Sequence, residues 1–500
     1  MAQDIRQKAA EGVVFLILQS VVSRLAILGS QIALGYLLSP KAFGVSGIAQ
    51  MIITVAWTMI GFGVDSVYIQ RNTKMAYWET SAFLVTVGQG VLAGVLLIAA
   101  APVCAAVFRT PELTFVMVLV GLSMPVVASS VVPGAKIYAD LQFKWNAAYN
   151  VVELLATQAL IVAFALLKLG SYAFFLPIPI MFTVRAIVYW LRAPVDLKGR
   201  FRPIQTVILL RRGGLLFISR LAMTLVDQGD YLVLGLFASS QAVGFYFFAF
   251  RLAAMPIRVI ATSLQGVLFS VLSRLNDDPP RQISAALRSA EILSYVSTPI
   301  CIIQIAVAPA VFHLIFGHKW DPSILLFQVL SVGLPAEAIA SVARAQLSAA
   351  GEFHRLLRYS TINAAVFFVM VAIGALAQQA LGVAIAVSAF FAIVQTVLFF
   401  RVFPPETNHL RHLSRIFVWP LVMSGMAAGL GALGGNALAG DALPIVQTLV
   451  IGTISSGLFL LMVWQFQRRV FDEVLGIAAT MVQRTTPTRT RTAIAGGAGQ

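Results

Sequence analysis

Charged residues are scarce in this chain: only 11% of its 500 residues are Asp, Glu, Lys or Arg, against about a quarter in soluble proteins. The two cysteines, Cys104 and Cys301, lie far apart in apolar surroundings, which excludes a disulfide framework. The sequence also lacks a GxxxxGK[ST] phosphate loop, an HExxH pair and a CxxC pair, and His313, His318 and His354 are scattered. No nucleotide-driven pump, no cofactor and no metal site is therefore predicted.

Apolar residues fill the chain instead. They make up 59% of it, and the mean hydropathy is +0.88, values typical of a protein that resides in a lipid bilayer. The formal net charge is +15. In a membrane protein such a basic excess reports the orientation of the spans, so it does not predict nucleic-acid binding.

Apolar runs of roughly 20 residues, bounded by charged or turn-forming residues, predict about 14 transmembrane helices. The predicted spans are 12–37, 44–68, 80–101, 113–135, 147–167, 173–193, 213–236, 242–265, 289–315, 323–343, 359–377, 382–402, 416–436 and 445–466. We therefore expect an all-α integral membrane protein.

Lysine and arginine are distributed unevenly over the predicted connections. With both termini in the cytoplasm, 26 of the 35 basic residues fall on the cytoplasmic side, including Arg192 and Arg401 at the cytoplasmic ends of their spans. Four fall on the other side and five deeper within spans. A missed or extra helix would exchange the sides of all later loops. The asymmetry therefore supports both the count and cytoplasmic termini.

An internal repeat relates the two halves of the chain. Three pairs of positions match in order: 23–26 with 219–222, 39–44 with 239–244, and Glu79 with Glu291. Six spans separate the copies, an even number, so both halves insert the same way up. We expect two six-helix lobes related by a pseudo-twofold axis along the membrane normal, followed by two C-terminal helices.

The resulting domain organisation has five parts. They are an N-lobe in 1–193, a basic cytoplasmic linker in 194–212, a C-lobe in 213–402, two further spans in 403–466, and a cytoplasmic, mostly disordered tail in 467–500. The last part of the tail, from Arg484, lacks an apolar face, and its arginines are expected to touch anionic lipid headgroups.

Arginines occur inside the predicted spans, where a charged side chain costs about 2.5–3.5 kcal/mol on insertion scales. They are Arg24, Arg185, Arg220, Arg251 and Arg258. Arg220 lies on one stripe of the seventh helix with Asp227 and Asp230, and Arg251 shares a face of the eighth with Arg258. These stripes predict a wet cavity between the lobes. Structural ion pairs are the alternative, and Arg185 is expected to snorkel to the cytoplasmic surface.

Two further acids have open roles. Asp65, near the cytoplasmic end of the second span, forms either a gate with Arg71 or a solvated rim. Glu337, beside Pro335 in the tenth span, is either a coupling carboxylate or a hydrogen-bonded structural acid.

Several segments resemble a known family. They are LGYLLSPKAFGVSGIAQMI, GFGVDSVYIQR, DQGDYLVLGLFASSQAVGFYFFAFRLAAMPIRVI and VLFSVLSRLNDD. Together they resemble Wzx-like polysaccharide flippases, in the polysaccharide-transport branch of the multidrug/oligosaccharidyl-lipid/polysaccharide exporter superfamily. The likeness runs over nearly the whole chain apart from the polar tail.

The resemblance implies a transporter, not an enzyme. Its two lobes would form a V around a cationic cavity and move polyprenyl-pyrophosphate-linked oligosaccharide across the bacterial inner membrane by alternating access. Arg24, Arg220, Arg251 and Arg258 would bind phosphate or sugar, because guanidinium offers planar forks to phosphate oxygens. A polysaccharide polymerase and a co-polymerase are implied as partners.

Energy coupling is left open by the resemblance. Asp227 and Asp230 would either set the arginine geometry or carry a coupling proton or sodium ion, and no organic cofactor is implied. The main alternative is a cation-coupled small-molecule or drug antiporter of the same superfamily. Antiporters of that kind are expected to have 12 spans and an acidic site in the first lobe. The first span of this chain instead contains Arg24 and no acid.

Two further alternatives lie outside the superfamily. A major-facilitator transporter also has two parallel lobes, but its basic motif between helices two and three is absent from 61–74. A membrane scaffold that transports nothing would tolerate loss of the cavity arginines, and this would distinguish it from a flippase.

Overall fold

A computed structural model describes residues 22–60, 78–140, 142–197, 203–404, 407–439 and 444–485. These residues are almost entirely helical, and none of them lies in a strand. The first half contains α1 (Val22–Leu37), α2 (Pro40–Thr58), α3 (Glu79–Val107), α4 (Glu112–Ala139, with a bend at Ser130), α5 (Phe143–Leu166) and α6 (Pro177–Arg192).

The second half is longer. It contains α7 (Pro203–Phe237), α8 (Ser240–Arg274), α9 (Pro279–Phe316), α10 (Asp321–Ala349), α11 (Phe353–Ala389), α12 (Thr396–Val402), α13 (Trp419–Ala439), α14 (Pro444–Phe466) and α15 (Arg468–Thr485). Short 3-10 turns precede α6 and α10, at Gly170–Phe174 and Gly317–Trp320.

The all-α membrane fold is confirmed. Eight apolar stretches of the described residues are long enough to cross a bilayer, and two of them, Pro279–Ala349 and His354–Val402, each contain two predicted spans. In the second stretch α11 turns back on itself at Gln378 and Gln379, whose backbone angles are not helical. This turn separates the predicted spans 359–377 and 382–402. The chain is therefore a multi-pass membrane protein, and the count of 14 stays a prediction.

The helices that pack between the two halves are less apolar than the rest. α2, α7 and α8 are long enough to span a membrane but are not among the eight apolar stretches. They carry polar side chains such as Gln50, Gln228 and Arg251 within their length. Because these three helices pack against one another, the polar residues gather at the centre of the molecule, away from the surrounding lipid.

The internal repeat has a direct structural counterpart at the start of α2 and α8. Ser39 and Ser239 each cap a helix by accepting a hydrogen bond from the backbone N–H three residues later. A side chain at Gly44 would overlap the carbonyl group of Ser240, and one at Gly244 would overlap that of Pro40. Glycine is required at both positions because the two backbones touch. We call this end of the molecule, formed by 35–44, 238–244 and 317–321, the hairpin end.

Helices extend into two segments that were predicted as linker and tail. Residues 203–212 of the predicted linker form the first turns of α7, which begins at Pro203, a residue whose fixed φ suits a helix N-terminus. Residues 468–485 of the predicted tail form α15. Val470 is buried there against α13 and α14, so an apolar face stabilises this helix. Residues 198–202 and 486–500 lie outside the described residues.

Candidate central cavity

A cavity of about 200 Å³ lies between the two halves of the molecule. Helices α1, α2, α7 and α8 contribute its walls. Its polar lining consists of three arginines and three glutamines: Arg24, Arg251, Arg258, Gln31, Gln50 and Gln228. Among the described residues that line it, none is acidic. Such a lining suits an anion, because guanidinium groups and amides donate hydrogen bonds to phosphate or carboxylate oxygens.

Arg251 connects α8 to α1 across the cavity. With the Gln31 amide oriented so that its oxygen faces Arg251, this oxygen accepts hydrogen bonds from Arg251 Nε at 3.2 Å and Nη2 at 3.1 Å. The guanidinium also lies 5.7 Å from the centre of the Phe247 ring. A neutral amide and an aromatic face orient the cation without neutralising it, so its charge remains available to a ligand.

Arg258 lies about two turns further along α8, over the ring of Phe250 at 5.4 Å. Its charge interacts with Glu337 on α10 and with Asp227 on α7. The Oε2 atom of Glu337 is buried and has no hydrogen-bond partner among the described residues. Glu337 thus has a counter-charge, which the sequence did not reveal.

Arg24 completes the cationic set from α1. It is partly buried and lines the cavity, and its charge interacts unfavourably with that of Arg258. Positive charges held close together repel one another, and a bound anion would relieve that repulsion. The arginines of both halves therefore converge on one space.

The predicted stripe of the seventh span does not face the cavity as a unit. Arg220 and Asp227 are exposed, and neither lines the cavity. Asp230 is only 1% exposed and accepts hydrogen bonds from the Tyr246 hydroxyl at 2.6 Å and the Tyr231 backbone N–H at 3.0 Å. Asp230 therefore links α7 to α8 through the Tyr246 hydroxyl.

Arg185 is also placed differently from the prediction. Its Nε and Nη2 donate to Glu153 Oε2 at 3.1 and 2.7 Å, so α6 is joined to α5 by an ion pair. The arginine does not snorkel, because a carboxylate on the neighbouring helix satisfies it. Asp65 and Arg71, the predicted gate or rim, lie outside the described residues.

Sequence reasoning missed several neutral and aromatic lining residues, namely Gln50, Gln228, Tyr231, Phe247 and Phe250. Gln50 interrupts an apolar stretch of α2, and Gln228 lies beside Asp227 in α7. These positions were the available signal. Amides are less costly than charges in a span, so they stand out less. The aromatic residues gave no signal, since aromatic side chains elsewhere in the chain occur at both exposed and buried positions.

The cavity is closed at the hairpin end. Trp320 is fully buried and stacks on Phe248, with ring centres 3.8 Å apart. Its Nε1 donates to the carbonyl oxygen of Gly35 at 3.0 Å, and Lys319 Nζ donates to the carbonyl oxygens of Gly35 and Tyr36 at 2.9 and 3.0 Å. These bonds tie the α9–α10 connection to the end of α1, on the opposite half.

Two of the scattered histidines come together at the same end. His313 Nε2 and His318 Nδ1 each lie 3.1 Å from a carboxylate oxygen of Asp321. The sequence interpretation of these histidines as scattered is therefore wrong, because the turn between α9 and α10 brings them side by side.

Comparison with known sequences identifies relatives that are named for polysaccharide biosynthesis. A family profile described as "Polysaccharide biosynthesis protein" matches residues 33–325, more than half of the chain. The chain is 22% identical over 299 residues to the succinoglycan biosynthesis transport protein ExoT of Rhizobium meliloti, covering 57% of this chain and 58% of that protein. It is 20% identical over 402 residues to the lipopolysaccharide biosynthesis protein WzxC of Escherichia coli, covering 79% and 80%.

A third relative is the teichuronic acid biosynthesis protein TuaB of Bacillus subtilis, 21% identical over 55% of this chain and 58% of that protein. The chain thus spans just under three fifths of the length of ExoT and of TuaB.

Solved structures share the fold. The lipid II flippase MurJ in an inward closed conformation superposes with a TM-score of 0.75 at 13% identity, covering 91% of this chain and 99% of that one. An inward-facing multidrug resistance MATE family transporter of the MOP superfamily gives a TM-score of 0.62 at 16% identity, covering 81% and 98%. At these identities the likeness establishes the fold alone.

Proposed function

The chain belongs to the polysaccharide biosynthesis protein family, and on that premise we propose that it is a flippase for lipid-linked oligosaccharides. Its substrate class would be an oligosaccharide repeat unit carried on a polyprenyl pyrophosphate. The relatives whose names specify succinoglycan, teichuronic acid and lipopolysaccharide support this class of pathway. They differ in the polymer that they name, so they do not select one sugar.

One observation carries the proposal: Arg24, Arg251 and Arg258 converge on a cavity whose described lining contains no acid. A pyrophosphate leaves water only if cationic partners replace its hydration, and the planar guanidinium forks suit phosphate oxygens. The sugars would remain in the cavity, where Gln50 and Gln228 offer amide groups to hydroxyls. The prenyl tail would stay in the bilayer.

The two-lobed architecture supports a mechanism of alternating access. In the proposed orientation both termini lie in the cytoplasm and the hairpin end faces the outside of the inner membrane. The cavity is then closed to the outside by the contact of Gly44 with the α8 backbone and by the Trp320 bond to Gly35. Substrate would enter the cavity from the cytoplasmic side, and parting of the lobes at the hairpin end would release it.

Glu337 is our candidate for coupling transport to an ion. Its buried Oε2 has no hydrogen-bond partner among the described residues, and its charge interacts with that of Arg258. A substrate phosphate that binds Arg258 would weaken this interaction and leave Glu337 free to take up H⁺ or Na⁺. In this scheme a polymerase and a co-polymerase would act on the exported repeat units as partners.

The test is a flipping assay with the purified protein in liposomes. Three labelled lipids are compared: a polyprenyl pyrophosphate oligosaccharide, a neutral polyprenyl glycoside with the same sugars, and a lipophilic cation. We expect accelerated movement of the pyrophosphate lipid alone, because only that lipid carries the anion that the arginines would bind. Transport of the cation with no movement of the pyrophosphate lipid would instead favour the drug antiporter. Equal movement of all three lipids would overturn the proposal.

A further inference from the structure

The connection between α9 and α10 folds tightly because of one glycine. α9 ends at Phe316, and Gly317 adopts φ +62°, a conformation that side chains disfavour. A single 3-10 turn, Gly317–Trp320, follows before α10 begins at Asp321. The reversal places the ring centres of His313 and His318 5.0 Å apart.

Three metal-ligating side chains meet there. The Asp321 carboxylate lies between the imidazoles, with Oδ1 3.1 Å from His313 Nε2 and Oδ2 3.1 Å from His318 Nδ1. The three ligand atoms all lie within 4.8 Å of one another, and all three residues are exposed. Exposed side chains can turn by small rotations to place these atoms about 2.0–2.2 Å from one ion, the distance of zinc to nitrogen and carboxylate oxygen.

We propose that His313, His318 and Asp321 bind a first-row divalent transition-metal ion, with Zn²⁺ as the favoured occupant. Two imidazoles and one carboxylate match the borderline-soft ligand preference of Zn²⁺, and water would complete a four-coordinate shell. Magnesium and calcium are disfavoured because they prefer all-oxygen ligands.

The site is connected to the closure of the hairpin end. The residues between the two metal ligands His318 and Asp321 are Lys319 and Trp320, which donate hydrogen bonds to the end of α1. An ion held at both ends of this turn would restrict its motion and so stabilise these bonds. Zn²⁺ would therefore favour the state in which the hairpin end is closed. This second step rests on the proposed alternating-access function, whereas metal binding itself does not.

Binding is tested on the full chain, purified without a histidine tag and stripped of metal with a chelator. Titration calorimetry with Zn²⁺ is expected to give one site per chain, and Co²⁺ is expected to produce the visible absorption bands of a bound ion. His313→Ala and Asp321→Asn should each weaken Zn²⁺ affinity at least tenfold. The matched control is His354→Ala, which removes an exposed histidine on α11 and should leave affinity unchanged. Absence of stoichiometric binding, or equal affinity in all variants, would overturn the proposal.

The link to closure has its own measurement. Spin labels at Leu37→Cys and Gln241→Cys, two exposed positions on opposite halves, report the separation at the hairpin end after both native cysteines are replaced by serine. Zn²⁺ should shorten the mean distance between the two labels and narrow its distribution. His313→Ala should abolish both effects. Zn²⁺ binding without any change in the distribution would refute the coupling and retain the metal site. Failure of the flipping assay would refute the transport function and leave the titration result intact.

Discussion

Ser39 and Ser239 begin α2 and α8 in the same way, with nearly identical backbone angles and the same capping bond. Gly44 and Gly244, five residues further on, touch each other's helices. Further along the two helices, where they line the cavity, the two copies differ. Arg251 of α8 occupies the position that Met51 has in α2 at the same offset of 200, so a cation in one copy replaces a thioether in the other.

This difference separates two kinds of constraint. The hairpin end must let two backbones meet across the repeat, and that geometry admits only glycine in both copies. The substrate proposed for the cavity lacks twofold symmetry, so nothing requires the two sides of the cavity to match. The repeat has therefore kept the residues of the hairpin end and changed those of the cavity, as Phe250 against Gln50 also shows.

Gly44→Ala is expected to have the largest effect, because it disrupts the backbone contact that the starts of α2 and α8 share. The new Cβ would overlap the Ser240 carbonyl group, so the hairpin end could not close, and we expect transport to be lost. We expect the closed form to be destabilised by about 3 kcal/mol or more, since backbone cannot give way as a flexible side chain does. Thermal unfolding in detergent and the spin-label separation measure this. Gly244→Ala should lower stability and transport in the same way. Gly88→Ala is the control: a Cβ at Gly88 would meet nothing within 4 Å, so this variant should retain both.

Arg251→Met gives α8 the residue that α2 has at the equivalent position, Met51. It therefore tests the difference between the two copies. It removes the cation that donates to Gln31, so we expect at least a tenfold loss of pyrophosphate-lipid flipping, because hydrogen bonds to charged groups are worth about 1.5–3 kcal/mol. Arg274→Met is the matched control, because Arg274 is an exposed arginine at the end of the same helix. Equal transport by the two variants would remove Arg251 from the binding site.

Tyr246→Phe tests whether Asp230 is structural, as its burial indicates. Loss of the 2.6 Å bond should cost about 1–3 kcal/mol of stability when Asp230 is present and much less in an Asp230→Asn background. Unfolding free energies of the four proteins in this cycle give the coupling. Flipping rates at equal protein level should change little, because neither residue lines the cavity. A specific loss of flipping in a stably folded variant would assign Asp230 to transport.

The smallest effects are expected from the helix caps. Ser39→Ala and Ser239→Ala each remove one side-chain acceptor of a backbone N–H, at a cost of roughly 0.5–1 kcal/mol. Because the two caps are alike, the losses should be equal, as measured by thermal unfolding in detergent. Ser456→Ala, at an exposed position within α14, should have no such effect. Clearly unequal losses would show that the two caps are not equivalent.

Much of the architecture could be predicted from the sequence. The hydropathy runs place the helices, and the match of 39–44 with 239–244 predicted a real structural equivalence. The arginines Arg24 and Arg251 were found because a charge inside an apolar span is rare and costly. Each of these signals is local, because it depends on the residues of one segment.

Other features depended on which way each helix faces. Periodicity placed Arg220 and Asp230 on one stripe of α7, but it could not say whether that stripe turns to the cavity or to α8. Nor could the pairing of Arg185 with Glu153 be seen, since the two residues are 32 positions apart. The His313–Asp321 cluster likewise required the left-handed turn at Gly317.

The sequence by itself determined that this chain lies in a bilayer, that it is helical, and that its halves repeat. Hydrophobicity and helical period decide these properties segment by segment. Only the tertiary structure decided which polar side chains meet. The rotation of each helix about its axis is set by close packing with its neighbours, as at the contact of Gly44 with the backbone of α8. One such contact fixes the direction of every side chain along the helix.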